Sequence, residues 1–419
     1  MNVLLLIISI LLYASFGWQS LFYVFFSIIT TFVAAKRLKG NNKKLVLIAT
    51  IIINLAILIF MKVVPFTKLS ILAPLGISYY TLQIISYLVD VYKNKYEPEE
   101  KLFNFTLYIM YIPHLFIGPI SRYDDMKKTL LEKRKITANN IFDGLLRVCW
   151  GLIKKFVIAG RAAIIISSIS GNEEYGGAYA LLAMIIYSIN IYADFSGGID
   201  IVIGISKMLG IDLKENFNSP YYSESFKEFW RKWHISLSSW LKDYVYIPLG
   251  GNRCSTFRKN INLLITFLVS GLWHGVNYII WGILNGIFVM FGDKFKTKSK
   301  ILNRLVTFIL ISFLWSFFIW PDQTTSLKMM ASVFTNFNYS EVATQILNLG
   351  LTIADWIIFA IFTLILFIFD GNKEKILPKL QNSKMETKTI LIGTMCLIVL
   401  VLGIYGIGFN VSNFIYSKF

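Results

Sequence analysis

Residues 45–61 read LVLIATIIINLAILIFM, an uninterrupted apolar run without a single charge. A helix needs about 20 predominantly apolar residues to cross the hydrocarbon of a bilayer, and this run approaches that length. Comparable runs occupy 178–193, 301–320, 353–369 and 389–409. Taken along the whole chain they predict about ten or eleven membrane-embedded segments. All of these should be helical, because lipid cannot hydrogen-bond an open backbone. The expected fold is therefore all-α, a polytopic integral membrane helical bundle. No internal repeat or long low-complexity linker appears, so a single domain over 1–419 is expected.

Composition agrees with that reading. Hydrophobic residues make up 56% of the chain and aromatic residues 16%, with a mean hydropathy of +0.61, above the usual share of a soluble domain. The first apolar segment, 3–13, has the length of a signal peptide but no basic residue before it. A second segment, 21–35, follows almost at once, so 3–13 reads as a retained helix. The net charge of +17 would suggest nucleic acid in a soluble protein. Here 28 of the 41 basic residues fall in five blocks between apolar runs, at 36–44, 122–135, 227–259, 293–304 and 371–388. Basic loops of this kind set membrane orientation and face the cytoplasm, where they also meet anionic lipid headgroups. No nucleic-acid partner is expected. Cys149, Cys254 and Cys396 are far apart in sequence and offer neither a disulfide framework nor a metal site.

Three regions depart from plain hydropathy. Residues 73–92, APLGISYYTLQIISYLVDVY, carry Pro74, Gly76, Gln83 and Asp90 in an apolar context. Residues 111–122, YIPHLFIGPISR, hold two prolines, Gly118 and His114. Such breaks are tolerated in a membrane only where protein or a water-filled cavity satisfies the freed backbone groups. The third region, 217–275, is the densest polar and aromatic stretch of the chain. Between these regions lies YADFSGGID, 192–200, whose Asp194 is either a site residue or a hydrogen-bonded anchor between helices. Lys154 and Lys155 are expected at a helix end, snorkelling to the interface.

Residues 226–244, FKEFWRKWHISLSSWLKDY, predict one amphipathic helix at the membrane interface. On an ideal wheel Phe226, Phe229, Trp230, Trp233, Leu237, Trp240, Leu241 and Tyr244 fall within about 60° of one stripe, with Lys227, Arg231, Lys232 and Lys242 off it. His234 sits about 80° from the stripe centre, which suits a surface or hydrogen-bonded histidine. The following VYIPLGGNR, 245–253, ends the helix in a turn and matches no phosphate-binding loop. His274, in SGLWHG at the end of an apolar run, has Gly271 and Gly275 beside it to permit close helix contact or a break. An imidazole at that depth faces a bundle interior or a cavity, as a general base or as an interhelical hydrogen bond. Metal ligation lacks H-E-x-x-H spacing, and a serine-hydrolase elbow G-x-S-x-G is absent.

In colinear order from about Pro74 to Gly286, the chain resembles the membrane-bound O-acyltransferase (MBOAT) family, in its bacterial alginate O-acetyltransferase-like branch. The carriers of that resemblance are PLGISYYTLQIISYLVDVY, IGPISR, GLIKKFVIA, YADFSG, the block LKENFNSPYYSESFKEFWRKWHISLSSWLKDYVYIPLGGNR and TFLVSGLWHGVNYIIWGILNG. It implies a family-matching core over 74–286, with re-entrant and interfacial helices around a central catalytic floor. It further implies that His274 is the catalytic histidine of the Trp-His-Gly motif and that His234 is the second active-site histidine. By the same resemblance Asp194, Trp230, Arg231, Asp243, Asn252, Arg253 and Asn285 surround the substrate or build the floor. Two positions depart from the family pattern: Asn285 stands where a further histidine is frequent, and His114 stands where another polar residue is common.

The activity implied is transfer of an acyl group, acetyl above all, from a cytosolic thioester donor to or toward an extracytoplasmic polysaccharide hydroxyl. Acetyl-CoA is the expected donor, with no bound cofactor and no metal. A separate extracytoplasmic acetyltransferase is the expected partner, and the bacterial cytoplasmic membrane the expected location. The alternatives are D-alanyl transfer to teichoic acid from a carrier protein, and a transporter in which the histidine pair relays protons.

Overall fold

The computed structural model describes residues 1–63, 74, 76–132, 134–172 and 174–405. Among the described residues the secondary structure is helical throughout, with no strand. Among the described residues six helices are long and apolar enough to cross a membrane: Trp18–Arg37, Lys43–Val63, Ala178–Met208, Lys300–Ile319, Ile353–Gly371 and Met385–Leu402. The five long apolar runs from 45–61 to 389–409 fall on five of them, although 406–409 of the last run lie outside the described residues. The other expected segments form shorter or interrupted helices, such as Asn2–Ser15, Ile77–Tyr92 and Leu102–Met110. Proline, glycine and π-helical turns divide them.

The chain forms two compact units, one of Met1–Ile141 with Ile205–Lys214, the other of Phe142–Gly204 with Glu215–Phe419. The first is built on buried aromatic rings: Tyr87 lies 4.7 Å from Phe105 and 5.1 Å from Tyr123, centroid to centroid. Its broken segment 111–122 becomes the short helix Ile112–Ile117 and an extended run after Gly118. The freed backbone groups are answered from within the unit. The Tyr108 hydroxyl donates to the Ser121 carbonyl at 3.0 Å, and the Ile112 amide donates to Ser9 Oγ at 3.3 Å. His114 is fully buried, with Nδ1 3.4 Å from Gln83 Nε2 and Nε2 3.2 Å from Ser121 Oγ. It ties that break to the helix Ile77–Tyr92.

The second unit is organised around residues 178–204 of the helix Ala178–Met208, whose 31 residues extend about 46 Å at 1.5 Å per residue. Glycines let the neighbouring helix Ala138–Leu152 and its π-helical continuation Ile153–Ala159 approach it backbone to backbone. A Cβ on Gly151 would stand 2.5 Å from the Gly197 carbonyl oxygen, and one on Gly204 would stand 2.6 Å from that of Gly144. Sequestered charges cross the same seam. Arg147 reaches Asp200 at 3.0 Å and Glu215 at 2.6 Å, while Lys154 reaches Asp200 at 2.6 Å and Ser196 Oγ at 3.0 Å.

This corrects the snorkelling expected of Lys154 and Lys155. Neither stands at a helix end: both lie in the π-helical stretch, with Lys154 buried against Asp200 and Lys155 paired with buried Asp194. Carboxylates on the adjacent helix supply inside the protein what headgroups would supply outside it. Two other distant pairs close the unit: the thiols of Cys149 and Cys396, 3.6 Å apart, and buried Lys388, 2.7 Å from Asp143.

Removing one member of a buried ion pair strands the other, at a cost of about 3–5 kcal/mol. Lys154→Met and Asp200→Leu should therefore each lower the unfolding temperature of the detergent-purified protein. The double variant should lose less than the two single losses combined. Melting curves that are simply additive would exclude this pairing.

Candidate active site

The segment 226–244 does not form the single helix that its periodicity predicts. It makes a helix Phe226–Lys232, a second helix Ile235–Leu241 and a π-helical stretch Lys242–Tyr246. The break falls at His234, which has a left-handed backbone at φ 44° and ψ 54°. Such a conformation costs a non-glycine residue of the order of 1–3 kcal/mol and persists only where its surroundings fix it.

Residues 216–218 do the fixing. The Asn218 amide donates to the Lys232 carbonyl at 3.0 Å, and the Ile235 amide donates to the Asn216 carbonyl at 2.9 Å. The Ser236 amide donates to the side-chain Oδ1 of Asn216, also at 2.9 Å. The break swings His234 off the amphipathic border and into the interior, where it is 3% exposed. The ring meets Phe195 edge-on at 4.8 Å. Burial pushes its pKa down to about 3, so the imidazole is neutral through the physiological range.

His274 ends the helix Thr256–His274, and Gly275, at φ 147°, turns the chain away. A close seam holds this helix to Ile279–Phe291. A Cβ on Gly271 would lie 2.5 Å from the Tyr278 carbonyl oxygen, and one on Gly282 would lie 2.5 Å from that of Phe267. The His274 ring stands edge-on to Trp273, Trp281 and Phe318 at 4.8, 5.4 and 5.6 Å. Trp273 also stands 6.2 Å from His234, so one indole neighbours both imidazoles.

Both histidines line one cavity of about 750 Å³ inside the second unit. Aromatic rings form much of its wall, including Phe195, Trp230, Trp233, Trp281, Trp315 and Phe318, with cations at Lys227, Arg231, Lys242 and Lys259. Trp230, Arg231 and Asn252 of the expected set are on this wall. Asn252 accepts a hydrogen bond from the Tyr246 hydroxyl at 2.6 Å. Asn285 is fully buried behind the wall: its Oδ1 accepts from Trp230 Nε1 at 3.2 Å, and its Nδ2 donates to the Trp281 carbonyl at 2.9 Å. It therefore positions an indole of the cavity.

Asp194, Asp243 and Arg253 do not line the cavity. Asp194 is engaged with Lys155, and Arg253 is exposed beyond the glycine turn. Among the described residues no group of three or more histidine, cysteine or acidic side chains is placed to hold a metal ion. Sequence reasoning passed over Asn216, although it lies in the quoted block; only the fold brings it beside residues 234–236.

The profile of the membrane-bound O-acyltransferase family, MBOAT, matches residues 99–334, more than half of the chain. Over 365 residues the chain is 34% identical to "Probable alginate O-acetylase AlgI" of Pseudomonas aeruginosa, covering 80% of this chain and 70% of that one. It is 32% identical over 380 residues to the peptidoglycan O-acetyltransferase of Helicobacter pylori, covering 78% and 72%. A third relative, the teichoic acid D-alanyltransferase of Bacillus subtilis, is 30% identical over 262 residues, covering 57% and 64%. The chain belongs to the MBOAT family and is a multi-pass integral membrane acyltransferase.

Losing a hydrogen bond to a buried polar group costs about 1–3 kcal/mol. Asn285→Leu should lower thermal stability by that order and reduce transfer, whereas Asn285→Asp, which keeps the acceptor for Trp230, should retain more of both. His114→Leu should destabilise the fold yet leave the transfer rate per folded molecule within about twofold of wild type. A much larger loss of rate at unchanged stability would place His114 in the chemistry.

Proposed function

We propose that this acyltransferase moves acetyl from acetyl-CoA on the cytosolic side to or toward a hydroxyl of an extracytoplasmic polysaccharide. The observation that carries the reading is the single cavity holding His234 and His274 together, between aromatic walls and the cations Arg231, Lys242 and Lys259. Aromatic walls exclude water from a thioester, which protects it from hydrolysis. Cations at the wall suit the phosphates of a coenzyme A-type donor.

In this mechanism His274 takes the proton of the acceptor hydroxyl as that oxygen attacks the thioester carbonyl, and the thiolate leaves. The C-terminal end of a helix favours the positive charge that a base acquires in that step. His234 either orients the acceptor or stabilises the charge developing on the carbonyl oxygen. A separate extracytoplasmic acetyltransferase would complete delivery to the sugar, with the enzyme resident in the bacterial cytoplasmic membrane. The O-acetyl-transferring relatives named above match over a larger share of the chain than the D-alanyl-transferring one, which supports acetyl.

Purified protein in liposomes, supplied with labelled acetyl-CoA or with a D-alanyl carrier-protein thioester, tests the donor. Label transfer from acetyl-CoA to an added acceptor is expected. Transfer from the D-alanyl carrier alone would replace this reading with the teichoic acid one. Movement of an acceptor without acylation would favour a transporter. His274→Ala should lower the rate by about 10²–10⁴-fold, and a rate within threefold of wild type would remove it as the base.

A further inference from the structure

The neighbours of His234 constrain where its ring proton sits. Its Nδ1 lies 3.4 Å from Asn216 Oδ1 and 3.5 Å from Ser236 Oγ. The orientation of the Asn216 amide is not free. Its Oδ1 accepts the Ser236 backbone N–H at 2.9 Å, and a flipped amide would set its NH₂ against that donor. The oxygen facing Nδ1 is therefore an acceptor only. An unprotonated Nδ1 would put two lone pairs against each other in a buried site. A protonated Nδ1 gives the Asn216 oxygen a second donor, and the Ser236 hydroxyl can accept from it as well. His234 Nε2, buried on a ring that lines the cavity, has no hydrogen-bond partner among the described residues.

We propose that Asn216 is a positioning residue that sets the tautomer of His234, holding the ring proton on Nδ1 and leaving the Nε2 lone pair free in the acyl-transfer cavity. This deepens the proposed function and rests on it for its catalytic meaning. It also separates the two roles left open for His234. An imidazole with a free lone pair orients a hydroxyl by accepting its hydrogen bond. It cannot donate to an oxyanion without first gaining a proton. The structure thus assigns His234 to a second hydroxyl of the acceptor rather than to the thioester carbonyl, since the single proton of the attacking hydroxyl goes to His274.

The charged and titratable groups that share the cavity with His234 are Lys227, Arg231, Lys242, Tyr246, Lys259 and His274. None of them is a carboxylate. From the long helix behind, Phe195 faces the ring, and the neighbouring Asp194 is engaged with Lys155. A carboxylate at position 216 would be a new influence on this imidazole. It would stabilise the imidazolium and raise the pKa of His234.

Diethylpyrocarbonate acylates an imidazole nitrogen that bears a lone pair, so its rate at His234 reports tautomer and protonation without any acyl donor. The purified full-length protein is labelled between pH 5.5 and 8, and His234 is quantified by peptide mass spectrometry beside free N-acetylhistidine. Corrected for reagent hydrolysis, the wild-type rate should hold from pH 8 to pH 5.5, where that of the free standard falls as it takes up a proton. Asn216→Asp keeps both acceptor positions. Its labelling should fall at least threefold from pH 8 to pH 5.5, and the acidic limb of its acetyl transfer should move to higher pH. Asn216→Ala leaves Ser236 free to donate to Nδ1, so labelling should slow at every pH. If that variant unfolds, His234 instead labels as fast as the free standard, and Asn216→Asp alone decides. A wild-type pH dependence in Asn216→Asp would overturn the proposal. Labelling that behaves as expected while acetyl transfer is absent from the wild type would retain the tautomer and reject the proposed donor.

Discussion

The backbone hydrogen bonds joining residues 216–218 to 232–236 hold a helix broken where its sequence would run on. The opened turn at His234 leaves amides that a continuous helix would have satisfied, and Asn216 meets two of them, one with its carbonyl and one with its side chain. The break lets two short helices turn their aromatic residues inward. Trp233 stacks on Phe229 at 5.4 Å, meets Phe217 edge-on at 5.0 Å and reaches Trp315 at 5.1 Å. The same break that buries these rings carries His234 to the cavity.

What sequence made legible follows from this. Long apolar runs identify spanning helices because crossing hydrocarbon leaves the backbone few choices, and the five runs from 45–61 to 389–409 fall on helices of that kind. The prolines and glycines of 111–122 marked a true break. The glycines beside His274 marked a close helix seam, because a missing side chain states its purpose locally. The fate of 226–244 was not legible. A helical wheel assumes a continuous helix, and the strain at one residue is offset by a segment sixteen to eighteen positions earlier in the chain. Lys154 was misplaced for a related reason. Its partner Asp200 lies 46 positions away, and periodicity carries no information about which carboxylate the fold will deliver.

The expected site residues divide by what they touch. His234, His274, Trp230, Arg231 and Asn252 share the cavity, while Asn285 acts on it through Trp230. At position 285, where family resemblance leads one to expect a histidine, the amide uses its oxygen and its NH₂ on two partners. A neutral imidazole could likewise accept at one nitrogen and donate at the other. The departure therefore preserves a positioning function while removing the option of titration. His234 and His274, the two histidines that the resemblance singles out, line one cavity.

The seam between Thr256–His274 and Ile279–Phe291 has a consequence for how this protein can change over time. Side chains on a lipid-facing surface can be exchanged among apolar types with little effect, since one hydrocarbon surface resembles another. Gly271 and Gly282 have no such freedom, because one added methyl at either would meet a backbone oxygen at 2.5 Å. The position of His274 is thereby recorded in residues that have no functional group at all. Among descendants of this sequence the lipid-facing positions can drift while these two stay fixed, and a substitution there would displace the imidazole without touching it.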